Sequence, residues 1–309
     1  MSAEKKNLPA SVQARLKNLA RDTNRPYDEL LHYFAIERFL YRMSRSDHAD
    51  RFVLKGALVI YAWDLPGGRP TRDIDLRCFM DGGLAYLLEA VRAICVQPVV
   101  EDGIVFDPQT VRGEVVQEQA QVPGAQVLFE AFLGRSRVPM RLDVNFSDVI
   151  VPEATTVGYP ALLDMPAPRL RAYPLQAIVA EKLHAAVVLG EINSRMKDFY
   201  DLWLLSRAQQ FDGNELAKAL VATFERRATP LPRTPLAAFG EEWLDAKRDL
   251  WTAFVRRLPP GHHAPEDLGE LMSVVAQFVD PPLNATASGE GFEKQWPAGG
   301  PWRWENQSE

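Results

Sequence analysis

Apolar positions along the chain change their period twice. Over residues 11–22, Val12, Leu16 and Leu19 fall on one side of a helix, and over residues 26–43 Tyr27, Leu30, Leu31, Phe34, Leu40 and Met43 repeat at helical spacing. Pro26, Asp28 and Glu29 supply the first turn of the second helix. Neither helix can bury its stripe alone, so residues 1–50 are expected to form a helical lead docked on the core. From 51 to about 163 the pattern shortens to that of strands: runs at 111–119, 125–133 and 138–146 are broken by Pro123, Gly124, Gly134 and Pro139, and a helix over 82–95 is expected to cross behind an earlier strand. Pro160, Pro166, Pro168 and Pro174 mark a connection, after which Leu175, Ile178, Val179, Leu183 and Val187 form a helical stripe ending near Gly190. Ser194 is a competent cap for the next helix. More helices follow over 213–280, including 243–257 and 265–278, and the tail from 281, with Trp296, Trp302 and Trp304, is expected to drape over the surface, pinned by its indoles. The pattern predicts an α+β chain in four parts: the lead at 1–50, a mixed sheet core flanked by helices at 51–165, a helical lobe at 166–280 and a Gly/Pro/Trp-rich tail at 281–309.

The candidate chemistry is concentrated where the first strands begin. In a strand from Asp73, period-2 alternation puts Asp73, Asp75 and Arg77 on one face and Ile74, Leu76 and Cys78 on the other. The two carboxylates then lie roughly 6–7 Å apart along the strand. Hard oxygen donors at that spacing suit Mg²⁺; the alternative is a strand edge whose acids pair with Arg69, Arg72 or Arg77. Upstream, Gly56 opens an apolar segment (Leu58, Val59, Ile60, Tyr61, Trp63) that leads into a loop with Pro66, Gly67, Gly68 and Pro70. A glycine at a helix start lets backbone N–H groups approach a phosphate chain, so Lys55, Gly56 and Ala57 read as a phosphate cradle facing the acidic strand. Farther on, Arg141, Asp143 and Asn145 alternate with Leu142, Val144 and Phe146, so that Asp143 points from a half-buried strand as Asp73 and Asp75 do; a salt bridge to Arg141 or Arg135 is its bland role. Lys182, beside the stripe of its helix, either snorkels or is held for a phosphate. Asp198 and Asp201 share a face of the following helix, with Arg195 and Lys197 near its start, where acids stabilise any helix and backbone N–H groups favour anions.

Composition narrows the class. The 309 residues are 47% hydrophobic and 25% charged, enough for two lobes and a sizeable core. The 35 basic and 41 acidic residues give a net charge of −6, which does not by itself advertise a nucleic-acid binder. Up to Ser46, however, nine basic residues stand against five acidic ones. With Arg38, Arg42 and Arg45 on an outer helix face, this lobe is a candidate surface for RNA or, more simply, a solvated face. Two cysteines, Cys78 and Cys95, in apolar surroundings make no disulfide framework, and without a signal peptide or transmembrane-length apolar run a reducing cytoplasm is expected. The chain has no internal repeat.

Three blocks carry a resemblance to a known family. These are Phe52 to Leu58 (FVLKGAL), Arg69-x-Thr71-x-Asp73-Ile74-Asp75-Leu76, and Ala180 to Ala185 (AEKLHA) followed by Ser194 to Leu202 (SRMKDFYDL). Together they resemble the AbiEii-type nucleotidyltransferase toxins of the polymerase-β-like nucleotidyltransferase superfamily, over nearly the whole chain from about Ser11. The resemblance implies a bi-lobed nucleotidyltransferase fold and Mg²⁺-dependent transfer of NMP from an NTP such as ATP or CTP. It implies an RNA acceptor, most simply a tRNA 3′ end, and a cognate antitoxin encoded nearby. By the same resemblance Asp73, Asp75 and Asp143 hold metal, Asp143 being the third carboxylate and candidate base. Lys55, Gly56, Ala57, Arg69 and Thr71 serve the nucleotide, as do Lys182 and Asp198 at the second motif. Asp201 is expected to orient its neighbours. One departure is Gly56-Ala57, where the superfamily has Gly-Ser or Gly-Gly: Ala57 has no hydroxyl to offer a phosphate. Fifteen residues separate it from Asp73, toward the long end of the family's loop. The rival readings are nucleotidyl transfer to a protein or small-molecule hydroxyl, and a regulator that holds nucleotide or RNA without turnover.

Overall fold

A computed structural model describes residues 7–63, 67–79, 83–118, 122–146, 149–233, 236, 240–259 and 261–304. The expected element edges at Gly82 and Gln119, the loop residue Pro66 and the chain after Trp304 lie outside the described residues. The protein is mixed α+β, and its chain divides into two compact units. The first takes in residues 7–63, 70–146 and 155–172, the second 67–69, 149–154 and 173–304.

The first unit opens with α1 (Leu8–Thr23) and α2 (Tyr27–Arg45). Asn7 caps α1 by accepting the Ala10 N–H, Asn24 ends it in the left-handed conformation, and Val12, Leu16 and Ala20 form its buried stripe. Then come β1 (Phe52–Lys55), α3 (Ala57–Ala62), β2 (Asp73–Cys78), α4 (Gly83–Cys95), β3 (Ile104–Glu118), β4 (Val122–Leu133), β5 (Ser136–Asn145), β6 (Thr155–Gly158) and β7 (Arg169–Ala172). The strands make one seven-stranded sheet in the order β3-β4-β5-β2-β1-β7-β6. β2 runs parallel to β5 and β1 parallel to β7, while the other neighbours are antiparallel.

The alternation along β2 sets the two faces of this sheet. Ile74, Leu76 and Cys78 are buried, in register with Leu142 and Val144 of β5. On that same face Phe39 of α2 packs on Phe106 and Phe129 at 5.6 and 4.8 Å between ring centres. Asp73, Asp75 and Asp143 are left on the other face. A one-residue slip of β2 would expel Ile74 and Leu76 from the core, at roughly 1.5–3 kcal/mol for each fully buried side chain. Core packing therefore decides which way the acids point.

The expected basic outer face of α2 is not there at two of its three positions. α2 packs against α1, α4, β3, β5 and β7, so almost all its sides are covered. Arg42 is buried in a two-pronged pair with Asp102 (2.6 and 3.0 Å) and also donates to the Ile104 carbonyl. Arg38 is buried as well, donating to the Glu37 carboxylate and, at 2.7 Å, to the Pro166 carbonyl. Only Arg45 of the three is exposed. These arginines hold the strand and loop segments around α2 and are not available to a polyanion.

The second unit contains α5 (Leu175–Leu189), α6 (Met196–Ala208), β8 (Phe211–Asp212), α7 (Gly213–Arg226), α8 (Glu241–Val255), α9 (Leu268–Ala287), β9 (Lys294–Trp296) and β10 (Arg303–Trp304). β8, β9 and β10 form a small antiparallel sheet. Ser194 does not cap α6: the Asn193 side chain accepts the Arg195 N–H at 2.9 Å, and the helix begins at Met196 with no side-chain cap. The tail does not begin at 281 either. Pro281 and Pro282 lie inside α9, where buried Phe278, Val279, Pro282 and Leu283 keep the apolar stripe going to Ala287 and offset the lost backbone hydrogen bonds. Beyond it, Trp296 donates to the Ser206 carbonyl (2.7 Å) and Trp302 to that of Phe278 (2.9 Å), whereas Trp304 is exposed. Two of the three indoles thus anchor the tail. Among the described residues no helix is long and apolar enough to cross a membrane.

Candidate active site

In the first unit, the backbone register brings the acids into one row. Asp75 lies opposite Asp143 across the parallel β2–β5 pair and opposite Lys55 across the antiparallel β1–β2 pair. Asp143 in turn faces Gln126 of β4, whose amide donates to it at 3.4 Å. Lys55, Asp75, Asp143 and Gln126 therefore cross four adjacent strands about 4.8 Å apart. Asp73 lies one step along β2, opposite Arg141. The Arg141 guanidinium reaches Asp143 at 2.9 Å and Asp73 at 3.7 Å, and these carboxylates, Asp143 foremost, raise its pKa. Arg141 and Asp73 are about half exposed. Such pairs contribute little to stability, and the guanidinium can swing away at small cost.

Gly56 closes the end of this row. Its φ of +71° is one that side-chain-bearing residues rarely adopt, and a Cβ built there would stand 2.3 Å from Asp75 Oδ2. Asp75 therefore lies directly against the Gly56 backbone. Ala57, the first residue of α3, is buried. Since α3 has only six residues, any phosphate here would be held by N–H groups at the turn, with little help from a helix dipole.

Asp73, Asp75 and Asp143 are hard oxygen donors on one face, the kind Mg²⁺ takes. Among the described residues no three His, Cys, Asp or Glu side chains close on a common point, and Arg141 supplies the counter-charge between Asp73 and Asp143. The donor set fits a divalent ion in kind, with Arg141 as the group such an ion would displace.

The second unit holds a different arrangement, and it is buried. Lys182 on α5 places its ammonium 3.0 Å from Asp198 and 2.6 Å from Asp201, both on α6. Arg69 grips Asp201 with two parallel hydrogen bonds of 2.9 and 2.8 Å, and Arg195 meets Asp198 at 2.5 Å. The Tyr200 hydroxyl donates to the Gly67 carbonyl, fastening the same loop to α6. Burial works against the Lys182 ammonium, but Asp198 and Asp201 outweigh it and hold its pKa above the ordinary lysine value. Burial likewise opposes the Asp198 carboxylate, yet Lys182 and Arg195 bring its pKa down to about 2. Lys182 thus neither snorkels nor reaches out alone: it is a clamped cation. The three cations and two carboxylates leave one positive charge over, and Arg195 is their most exposed member.

A protein-family model for the nucleotidyl transferase AbiEii toxin of type IV toxin–antitoxin systems matches residues 38–274. The chain belongs to this family. The AbiEii match spans both units, including every candidate residue named above. Two Helicobacter pylori crystal structures, one titled a nucleotidyltransferase and the other JHP933, align with 84% of this chain and 95% of theirs. Their sequence identities are 12% and 16%, each at a TM-score of 0.45. No curated protein matches the sequence.

Of the expected AbiEii site residues, Lys55, Gly56, Ala57, Thr71, Asp73, Asp75 and Asp143 fall in the first unit, and Arg69, Lys182 and Asp198 in the second. Three further residues belong beside them. Gln126 and Arg141 hold Asp143, and Asp201 holds both Lys182 and Arg69. Arg141 was visible as a pairing partner two positions from Asp143. The Arg69–Asp201 contact spans 132 positions and leaves no local sign.

Proposed function

We propose that this AbiEii-family nucleotidyltransferase moves NMP from an NTP to an RNA hydroxyl, most simply at a tRNA 3′ end. The reaction depends on Mg²⁺, takes place in the cytoplasm, blocks translation and is neutralised by a cognate antitoxin. The carboxylate row carries this reading: Asp75 pressed against Gly56 and in register with Asp143, with Asp73 one step away. Bound at Asp73 and Asp75, Mg²⁺ would polarise the α-phosphate and neutralise the leaving pyrophosphate. The acceptor oxygen bonds to the α-phosphorus as the bond to the bridging oxygen of pyrophosphate breaks. Asp143, released by Arg141, takes the hydroxyl proton, while Lys55 and the N–H groups after Gly56 bind the outer phosphates. Thr71 supports the entry to β2, and Arg69, Lys182 and Asp198 serve the nucleotide as members of a cluster that, with Arg195, carries one net positive charge.

The test is to incubate the purified protein with Mg²⁺, total tRNA and each α-labelled NTP in turn, with Asp75→Ala alongside. Label in tRNA with the wild type and none with the variant is expected, and it would name the nucleotide. Label in a protein or small-molecule fraction would change the acceptor class. Metal-dependent NTP binding without label anywhere would turn the reading to a regulator without turnover.

A further inference from the structure

Two consecutive residues of α2, both upstream of the segment matched by the family, reach the backbone just ahead of the acidic strand. His32 Nε2 hydrogen-bonds the Arg72 carbonyl at 2.9 Å, and the Thr71 N–H donates to the Tyr33 hydroxyl at 3.1 Å. His32 and Tyr33 are 9% and 2% exposed, too little for surface contacts that come and go. Their own helix is buried along most of its length, so they are fixed points. Because the bonded carbonyl only accepts, Nε2 of His32 carries the proton in this bond. The Tyr33 ring also packs on Tyr61 of α3 at 4.9 Å, and the Arg25 guanidinium, held by Glu29, lies 5.2 Å from the Tyr33 ring centre. One side chain thus touches both the helix that follows Gly56 and the residues that precede Asp73.

We propose that His32 and Tyr33 are positioning residues for the nucleotidyl-transfer site, setting where Asp73 and Asp75 stand relative to the Gly56 turn. The inference rests on the proposed metal role of those carboxylates. Thr71 and Arg72 precede β2 and have no strand partner, so their position depends on side chains. Asp75, in contrast, is only 2.3 Å from where a Gly56 side chain would start, and a small drift of the strand entry would open that contact. Arg72 and Thr71 thus connect a rigid helix to a strand whose placement matters to within fractions of an ångström.

The experiment compares wild type, His32→Leu, His32→Gln and Tyr33→Phe. Gln places an N–H donor where Nε2 of His32 stands, Leu does not, and Phe keeps the Tyr33 ring without its hydroxyl. Each protein is titrated with Mn²⁺ by electron paramagnetic resonance, and amide hydrogen exchange is followed over residues 71–78. With about one net hydrogen bond lost per variant, His32→Leu and Tyr33→Phe are expected to weaken Mn²⁺ half-saturation about fivefold and to speed exchange over that stretch. His32→Gln is expected to stay near wild type in both. Unchanged Mn²⁺ binding in His32→Leu and Tyr33→Phe, or a His32→Gln as weak as His32→Leu, would overturn the proposal. If the wild type itself takes up no Mn²⁺, the metal reading of the site fails, and exchange alone decides whether the two side chains hold the strand: no acceleration in either variant would sink that as well.

Discussion

The two candidate groups solve opposite electrostatic problems. In the first unit Asp73, Asp75 and Asp143 sit on a part-exposed sheet face, clasped by a half-exposed Arg141; in the second, Lys182, Asp198, Asp201 and Arg69 are nearly dry and fully paired. Water screens the first group, so it tolerates unbalanced acids and an arginine that can leave at small cost. The second has no such shelter, since each charge there is held up by its partners. The first group is weakly paired and wet, the second tightly paired and dry.

The contrast is broken most directly at Lys182. Lys182→Met leaves two carboxylates buried with fewer cations and is expected to cost about 3–5 kcal/mol of stability by urea denaturation. A loss under about 1 kcal/mol would mean that the cluster is far wetter than its burial indicates. Next in size is Gly56→Ala, with a positive φ and a clash with Asp75. It is expected to lower stability by about 1–3 kcal/mol and to abolish nucleotidyl transfer, since the carboxylate must move.

Acid sharpens the comparison further. Asp198 has a folded pKa of about 2, below the ordinary aspartate value, so its contribution is present above about pH 4 and is lost as pH falls toward 2. Lys182, raised, contributes fully below the ordinary lysine pKa and loses that contribution only as pH climbs past it. Stability plotted against pH should fall on the acid side of 4, and the Lys182→Met variant should flatten that fall. Asp280 is the counterexample within the same unit: a carboxylate that burial alone pushes up to about 6, with one oxygen buried and unbonded. The sign reverses, and folding loses stability as pH rises from about 4 to 6. Asp280→Asn should accordingly gain about 1 kcal/mol at neutral pH in the same assay. Smallest of all, Arg141→Gln at its half-exposed site should change stability by no more than about 0.5 kcal/mol while tightening Mn²⁺ binding at the carboxylates.

The same contrast explains what could be read from the sequence. Strand alternation is a local signal enforced by the core, so the face carrying Asp73 and Asp75, and the matching parity of Asp143, were legible from residue order alone. Helix α2 was legible as a helix but not as a buried one. Arg42 looks like part of a surface stripe because its partner Asp102 is far away in the chain, and Arg38 because the Pro166 carbonyl that fixes it, beside the adjacent Glu37, is as remote. Asp201 was legible as a residue that orients its neighbours, but its partner Arg69 was not, since it belongs to a loop that no local period connects to α6. Pro281 and Pro282 show the opposite case: counted into a Gly/Pro/Trp-rich tail by composition, they belong to α9, whose apolar stripe continues through them.

The indoles that pin the tail have an optical consequence. Of the seven tryptophans, Trp203, Trp243, Trp251, Trp296, Trp302 and Trp304 belong to the second unit, and only the exposed Trp63 to the first. Intrinsic fluorescence is therefore a nearly private reporter of the helical unit, with Trp251 and Trp296 giving the blue-shifted emission of buried rings. Loss of that emission in Lys182→Met and its retention in Gly56→Ala would follow the two units separately without a label on either.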